Sequence, residues 1–275
     1  MNAPLVMLNN GLSIPQVGLG TWPLTDAEVA PAIVTAVEAG YRHLDTAVKY
    51  DNEVGVGQGI RDSGIAREEL FVTTKLDGTY QGNDLAIGGL EGSLTRLGLD
   101  YVDLLLIHWP VPQRDLYVST WQAFEKLLAD GRARSIGVSN FKPAHLDRLL
   151  AETDIVPAVN QIQLNPYVTR ADQREYGIRH GIVTESWSPL GQGNELLAEP
   201  LLARLAEKYG KAPGQVVLRW HIELGLVVIP KSATPERIRQ NIDLFDFALD
   251  PADVDAISAL DQGPDAGVDS DVVGH

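Results

Sequence analysis

Asp45, Tyr50, Lys75 and His108 are the residues whose types and spacing suggest chemistry. Each ends a short apolar run or follows one closely. A phenol near a lysine ammonium has its anion stabilised, which draws its pKa from about 10 toward neutrality. Such a tyrosine is a usable general acid for a carbonyl oxygen. Asp45 can hold Lys75 in an ion pair if their strands are neighbours, because paired strands lie about 4.8 Å apart. His108 can give the same oxygen a second hydrogen bond. Taken singly, each residue also reads as structure, since buried Asp–Lys pairs and satisfied histidines are common. Four of them at matched strand ends favour function.

The elements that must position them follow from periodicity. Short β-rich runs at 16–20, 41–45, 70–75, 101–108, 133–139, 158–163, 182–187 and 226–230 alternate with segments of helical period. Ile87, Leu90, Leu94 and Leu97 make one apolar helical face, and Trp121, Phe124, Leu127 and Leu128 make another. Pro143, Pro213 and Pro235 sit where first helical turns begin. An extra helix is expected over 197–210. Eight such repeats predict an α/β fold, a (β/α)8 TIM barrel, over an open doubly wound sheet. Val6 to Ile14 contains Asn10-Gly11, a hairpin signal, and an N-terminal β-hairpin there can plug the barrel floor.

A barrel of this kind carries its site at the C-terminal ends of its strands. The residues that end the runs are Asp45, Lys75, His108, Ser139 with Asn140, Gln161, Trp187 with Ser188, and Lys231 with Ser232. A purely structural barrel needs no such rim.

Composition excludes other classes. The 275 residues hold no cysteine, which removes disulfides, thiolate nucleophiles and Cys-ligated metals. No metal site is expected. Lys plus Arg is 22 against 37 for Asp plus Glu, a net charge of −15, which opposes binding to nucleic acid or to an anionic membrane. No apolar run approaches the roughly 20 residues of a membrane span, and the N-terminus lacks the features of a signal peptide. A cytoplasmic protein is expected. Nine aspartates and no basic residue lie between Asp243 and His275. No G-x-G-x-x-G or G-x-x-x-x-G-K-[ST] motif occurs, so Rossmann and P-loop readings are poor.

The run Tyr41-Arg-His-Leu-Asp45-Thr-Ala-Val-Lys-Tyr50-Asp-Asn-Glu53 resembles the signature of the aldo-keto reductases. The similarity continues through Thr74-Lys75-Leu76, Ile107-His108-Trp109-Pro110, Ser135-Ile-Gly-Val-Ser-Asn140, Asn160-Gln161 and Ile229-Pro-Lys-Ser232, then Arg237 and Asn241. It spans the chain as a single barrel domain, 1–275. Trp187 and Leu190-Gly-Gln-Gly193 point to the bacterial 2,5-diketo-D-gluconate reductase-like group.

The resemblance implies an NADPH-dependent oxidoreductase, a monomer that reduces ketones or aldehydes, small dicarbonyls among them. Tyr50 would be the acid, with Lys75, Asp45 and His108 in support. Phosphate sites in barrels follow the last strands and use a helix N-terminus. Lys231, Ser232 and Arg237 would meet the 2′-phosphate there, with Gln240 and Asn241 toward the adenine. Trp187 would stack on the nicotinamide, and Ser139, Asn140 and Gln161 would suit its carboxamide. Ser188, Leu190 and Gln192 would cover the pyrophosphate, and Val228 and Ala233 complete the cofactor set. Trp22, Val48 and Trp109 would line the substrate pocket. Relatives usually carry Trp where Asp77 stands here, and Tyr80 is a possible substitute wall. The tail would close the pocket through Val268, Val272 and Val273. Two other classes remain open: a Schiff-base lyase using Lys75 or Lys231, and an NADPH-binding sensor.

Overall fold

The computed structural model describes residues 3–193 and 195–275. The chain begins with an antiparallel hairpin, β1 (Leu5–Met7) and β2 (Ser13–Pro15). Eight parallel strands follow: β3 (Leu19–Gly20), β4 (His43–Asp45), β5 (Phe71–Leu76), β6 (Leu104–Ile107), β7 (Ile136–Ser139), β8 (Val159–Gln163), β9 (Val183–Trp187) and β10 (Val227–Val228). They pair in sequence order. The first and last meet through a parallel bridge between Val17 and Val228, with Gly18 N donating to Val228 O at 2.9 Å, so the sheet closes into a barrel.

Helices α1 (Asp26–Glu38), α2 (Glu53–Asp62), α3 (Asn83–Leu97), α4 (Tyr117–Ala129), α5 (Pro143–Glu152), α6 (Ala171–His180), α7 (Pro200–Tyr209), α8 (Pro213–Glu223), α9 (Pro235–Ile242) and α10 (Pro251–Ser258) alternate with the strands or follow them. The helical faces read from the sequence are the packed ones. Leu90, Leu94 and Leu97 are buried, as are Trp121, Phe124 and Leu127. The expected extra helix is α7, shorter at its start because Pro200 fixes the first turn.

Regular strand is shorter than the β-rich runs. The runs at 16–20, 101–108 and 226–230 keep only two to four residues as strand. Their outer residues pair singly, as Val17 does with Val228 and Val102 with Ala133. Barrel strands stagger as they tilt, so their ends lose partners.

Alternation divides each strand between two layers. Val72, Leu76, Leu105, Ile107, Ile136 and Val138 face the helices in one large core. Phe71, Leu104, Leu106, Val159 and Val227 face inward and pack with Leu8 and Ile14 of the hairpin. The hairpin therefore plugs the barrel floor. Its turn is wider than two residues: Leu8 N donates to Leu12 O at 2.8 Å, and Gly11 has φ 83°. Above the apolar floor the inward residues turn polar: His43, Thr73, Gln161 and Glu185, then Asp45, Lys75 and Ser139. Gly18 leaves room for this layer, because a Cβ there would lie 2.5 Å from His43 Nδ1.

Candidate active site

Three of the four residues singled out first are joined by hydrogen bonds, and the fourth lies against them. Lys75 Nζ donates to Asp45 Oδ1 at 2.5 Å, to the Thr46 carbonyl at 2.9 Å and to Tyr50 Oη at 3.1 Å. An ammonium has three protons, and all three are used. The His108 ring meets the Tyr50 ring edge-on at 5.7 Å between centroids.

Local structure explains the spacing. The chain leaves β4 at Asp45 and winds one short turn, Val48–Tyr50, which ends at Asp51 with φ 53°. Asn52 pins that turn: its Oδ1 accepts from Thr46, and its Nδ2 donates to the carbonyls of Thr21 and Leu24. Glu53 then accepts from Thr74 Oγ1 at 2.6 Å and pairs with Arg96. The Asn-Glu pair after Tyr50 is thus scaffold that fixes the tyrosine over the lysine.

Burial opposes the Lys75 ammonium, but Asp45 and Tyr50 together outweigh it and hold the proton more tightly than in a free lysine. Lys75 therefore has no lone pair to attack a carbonyl, which weighs against the Schiff-base reading. Burial pushes the Tyr50 phenol above its ordinary range, while Lys75 pulls it back and Asp45 pushes it further. The expected draw toward neutrality is thus corrected: desolvation outweighs the neighbouring cation. Burial, with Lys75 and His275 adding to it, holds His108 far below the usual histidine range, so its ring is neutral.

A second polar layer lies beneath, and the sequence reading missed it. Gln161 Nε2 donates to Asp45 Oδ2 at 2.8 Å and to Glu185 Oε2 at 2.9 Å. Burial and the Asp45 charge push the Glu185 carboxyl up to about 8. His43 lies 3.6 Å from Glu185 Oε1, and burial takes its pKa down to about 3, so the two meet as neutral groups. The signal was present: Glu185 lies two residues before Trp187 and shares its inward phase on β9.

The remaining candidates fall into three groups. Trp187 is half-buried, and its Nε1 donates to Asn140 Oδ1 at 2.9 Å. Asn140 Nδ2 donates to the His108 carbonyl and to Ser139 Oγ, so its amide braces the strand ends and orients Trp187. Gln161 has its amide nitrogen committed to the carboxyl groups of Asp45 and Glu185, which leaves its oxygen to address a ligand. Lys231, Ala233, Arg237 and Gln240 are exposed on and around the start of α9, where Ser232 and Asn241 are buried. Ser188 and Gln192 adopt positive φ, 53° and 52°, in the loop after β9, and Leu190 packs inward there. Val228 is the misfit. It is wholly buried in the barrel wall, where it seals the closure against Val17, and it presents no surface to a ligand.

In the pocket, Trp109 is buried, Val48 is half-buried and Trp22 is exposed. Asp77 is buried too. The tail crosses the mouth, but polar anchors hold it, contrary to the expected valine contacts. Lys142 pairs with Asp269 and Asp271, and Gln163 Oε1 accepts from Val268 N at 2.6 Å. Gly78 N donates to the His275 carbonyl at 3.0 Å. Val272 and Val273 are exposed. A separate cleft at the opposite end of the barrel, lined by Arg42, Glu69, Asp103 and Arg134, is remote from these groups. Among the described residues, no group of acidic, histidine or cysteine side chains is arranged to hold a metal ion, and no helix is long and apolar enough to cross a membrane.

A model of the aldo/keto reductase family matches residues 16–262. The chain belongs to that family. This aldo/keto reductase is 51% identical to an aldo-keto reductase of Mycolicibacterium smegmatis over 97% of each chain. It is 49% identical to a 2,5-diketo-D-gluconic acid reductase B of a Corynebacterium species over 95% of each. It is 47% identical to a methylglyoxal reductase of Yersinia pestis over 98% of each. Among solved structures, the Bombyx mori aldo-keto reductase in complex with NADP is 41% identical at a TM-score of 0.89, covering 95% of this chain and 94% of that one. Membership makes the chain an oxidoreductase of the bacterial group named for 2,5-diketo-D-gluconate reduction.

Proposed function

We propose that this chain reduces ketones and aldehydes with NADPH, and that Tyr50 delivers the proton. One observation carries the reading: Lys75 spends its third N–H on Tyr50 Oη. The phenol oxygen accepts from below, so its own proton points into the pocket. It can then donate to a carbonyl oxygen set between it and His108. Raising the phenol's pKa by burial suits this role, because the acid stays protonated until the oxygen it serves gains charge. His108, being neutral, has a ring N–H for the same oxygen.

The residues present fit NADPH. Lys231 and Arg237 are exposed and form no ion pair among the described residues. They flank the N-terminus of α9, where backbone N–H groups favour a phosphate. Trp187 is fixed by Asn140 and offers a flat face to a planar ring. When bound, NADPH supplies the hydride that reduces the carbonyl carbon. The chain's part is to hold, orient and protonate. The relatives named for methylglyoxal and diketogluconic acid support small dicarbonyls as the substrate class. The reading also takes the chain as a cytoplasmic monomer.

The test is a panel of dicarbonyls and aromatic aldehydes followed by NADPH absorbance, with NADH alongside. NADPH-dependent turnover of dicarbonyls is expected. Fluorescence quenching by NADPH with no turnover of any carbonyl would favour the sensor class instead.

A further inference from the structure

Asp77 lies two residues beyond Lys75, at the end of β5, so strand alternation aims it to the lysine's side, toward the barrel mouth. It is 4% exposed. Its Oδ1 accepts from Thr79 N at 3.0 Å and from Thr79 Oγ1 at 2.7 Å, capping a short turn. Its Oδ2 is buried with no hydrogen-bond partner among the described residues. His275 Nε2 lies 3.9 Å from it, beyond hydrogen-bonding reach.

His275 in turn lies over the candidate site. Its ring is 5.0 Å from that of His108 and 6.0 Å from that of Trp109. Trp109 Nε1 is also buried without a partner. An unmet acceptor and an unmet donor thus border the place His275 occupies, next to the histidine that faces Tyr50. Buried polar groups left unpaired cost free energy, and a ligand that pairs them recovers it. No buried cation offsets Asp77 there. Lys75 has all three protons engaged; Lys49, which also faces His108 and His275, is exposed, and so is Arg114, which donates to the Gly78 carbonyl.

We propose that Asp77 makes this pocket select carbonyl compounds bearing a hydrogen-bond donor, an ammonium group above all, and reject those bearing a carboxylate. His275 rests where that donor group sits in the complex. The proposal rests on the reductase reading and names its substrate class. A substrate carboxylate would face the bare Oδ2 in a low-dielectric pocket, where like charges repel far more than in water. An ammonium or hydroxyl supplies the bond Oδ2 lacks. The selectivity sets this chain apart from its relative named for a diketo acid.

The experiment compares three para-substituted benzaldehydes of different charge: a carboxylate, its methyl ester and a dimethylaminomethyl group, each read as its wild-type-to-variant ratio so that intrinsic reactivity cancels. Both kcat/KM and the dissociation constant from tryptophan quenching are read for each. In the wild type the cation should lead the ester, and the ester should lead the carboxylate. Asp77→Asn keeps the cap on Thr79 and removes the charge. It should cut the cation-to-carboxylate ratio by about tenfold or more. His275→Ala should preserve the wild-type order, because the selecting charge is on Asp77. A wild type that favours the carboxylate, or a ratio unchanged by Asp77→Asn, would overturn the proposal. Absence of turnover with all three compounds would instead break the reductase reading, and the order of the dissociation constants would still decide the role of Asp77.

Discussion

The Asp45/Lys75 centre and the 231–241 segment are both polar, yet they are held in opposite ways. In the centre every proton of Lys75 has an acceptor, and Gln161 ties Asp45 to Glu185 beneath it. Groups there are buried, so each is costly to leave unpaired and each fixes its neighbours. On and around α9, Lys231, Arg237 and Gln240 stand in solvent, and among the described residues neither cation has a carboxylate within ion-pairing distance. The first region is organised by folding. The second is a charged surface whose order must come from what it binds. The two should therefore respond differently to substitution: the centre should lose stability and activity together, and the segment should lose affinity alone.

Lys75→Met presses hardest on that contrast. It strands Asp45 in the barrel without its cation, which typically costs about 3–5 kcal/mol. We expect a clear drop in the urea midpoint and carbonyl reduction at least about a thousandfold down. A variant as stable as the wild type would show that the centre is not held as described.

Arg237→Ala comes next. A charge-assisted hydrogen bond to phosphate is worth about 1.5–3 kcal/mol, so NADPH should bind roughly ten- to a hundredfold more weakly. NADH, which lacks the 2′-phosphate, should be little affected, and the unfolding midpoint should stay put. Equal losses for the two dinucleotides would show that Arg237 does not meet that phosphate.

Glu185→Gln leaves ligand binding aside and is visible only as a pH dependence of stability. The folded pKa of Glu185, about 8, lies above its unfolded value, so the native state holds the proton more tightly. The stability this brings is fully present below about pH 4.3 and is lost as pH rises through about 8. Glutamine keeps a neutral group of the same shape. The variant should therefore gain on the wild type between those limits and run parallel to it above them, as urea melts across pH will show. A constant offset across the range would place the proton elsewhere in the Asp45 cluster.

Much of this was legible in the sequence for a physical reason. A barrel repeats one unit eight times, so residues such as Asp45, Lys75 and His108 fall at or beside the C-terminal ends of successive strands and mark the rim. The hairpin plug followed from Asn10-Gly11 flanked by apolar residues. Other features depend on burial, which spacing does not report. The Tyr50 phenol rises because desolvation outweighs Lys75, although proximity alone argued the reverse. Val228 sits among rim residues in sequence but faces the wall that closes the barrel. Glu185 and His43 look like ordinary strand residues until their inward phase is counted. The tail's charge was visible, but its placement was not. Asp269 and Asp271 fold back onto Lys142, while Asp243 and Asp246 reach Lys211, so the acidic stretch is tied at several points to the barrel it crosses.

The central claim is that Tyr50 delivers the proton from a centre already assembled without ligand. Tyr50→Phe removes one hydroxyl and leaves the ring, Lys75 and Asp45 in place. NADPH affinity by fluorescence quenching and single-turnover oxidation of bound NADPH by a dicarbonyl should be measured on the same preparation. The account predicts wild-type affinity with reduction lost by about two orders of magnitude or more. Reduction at an ordinary rate by the phenylalanine variant would contradict it.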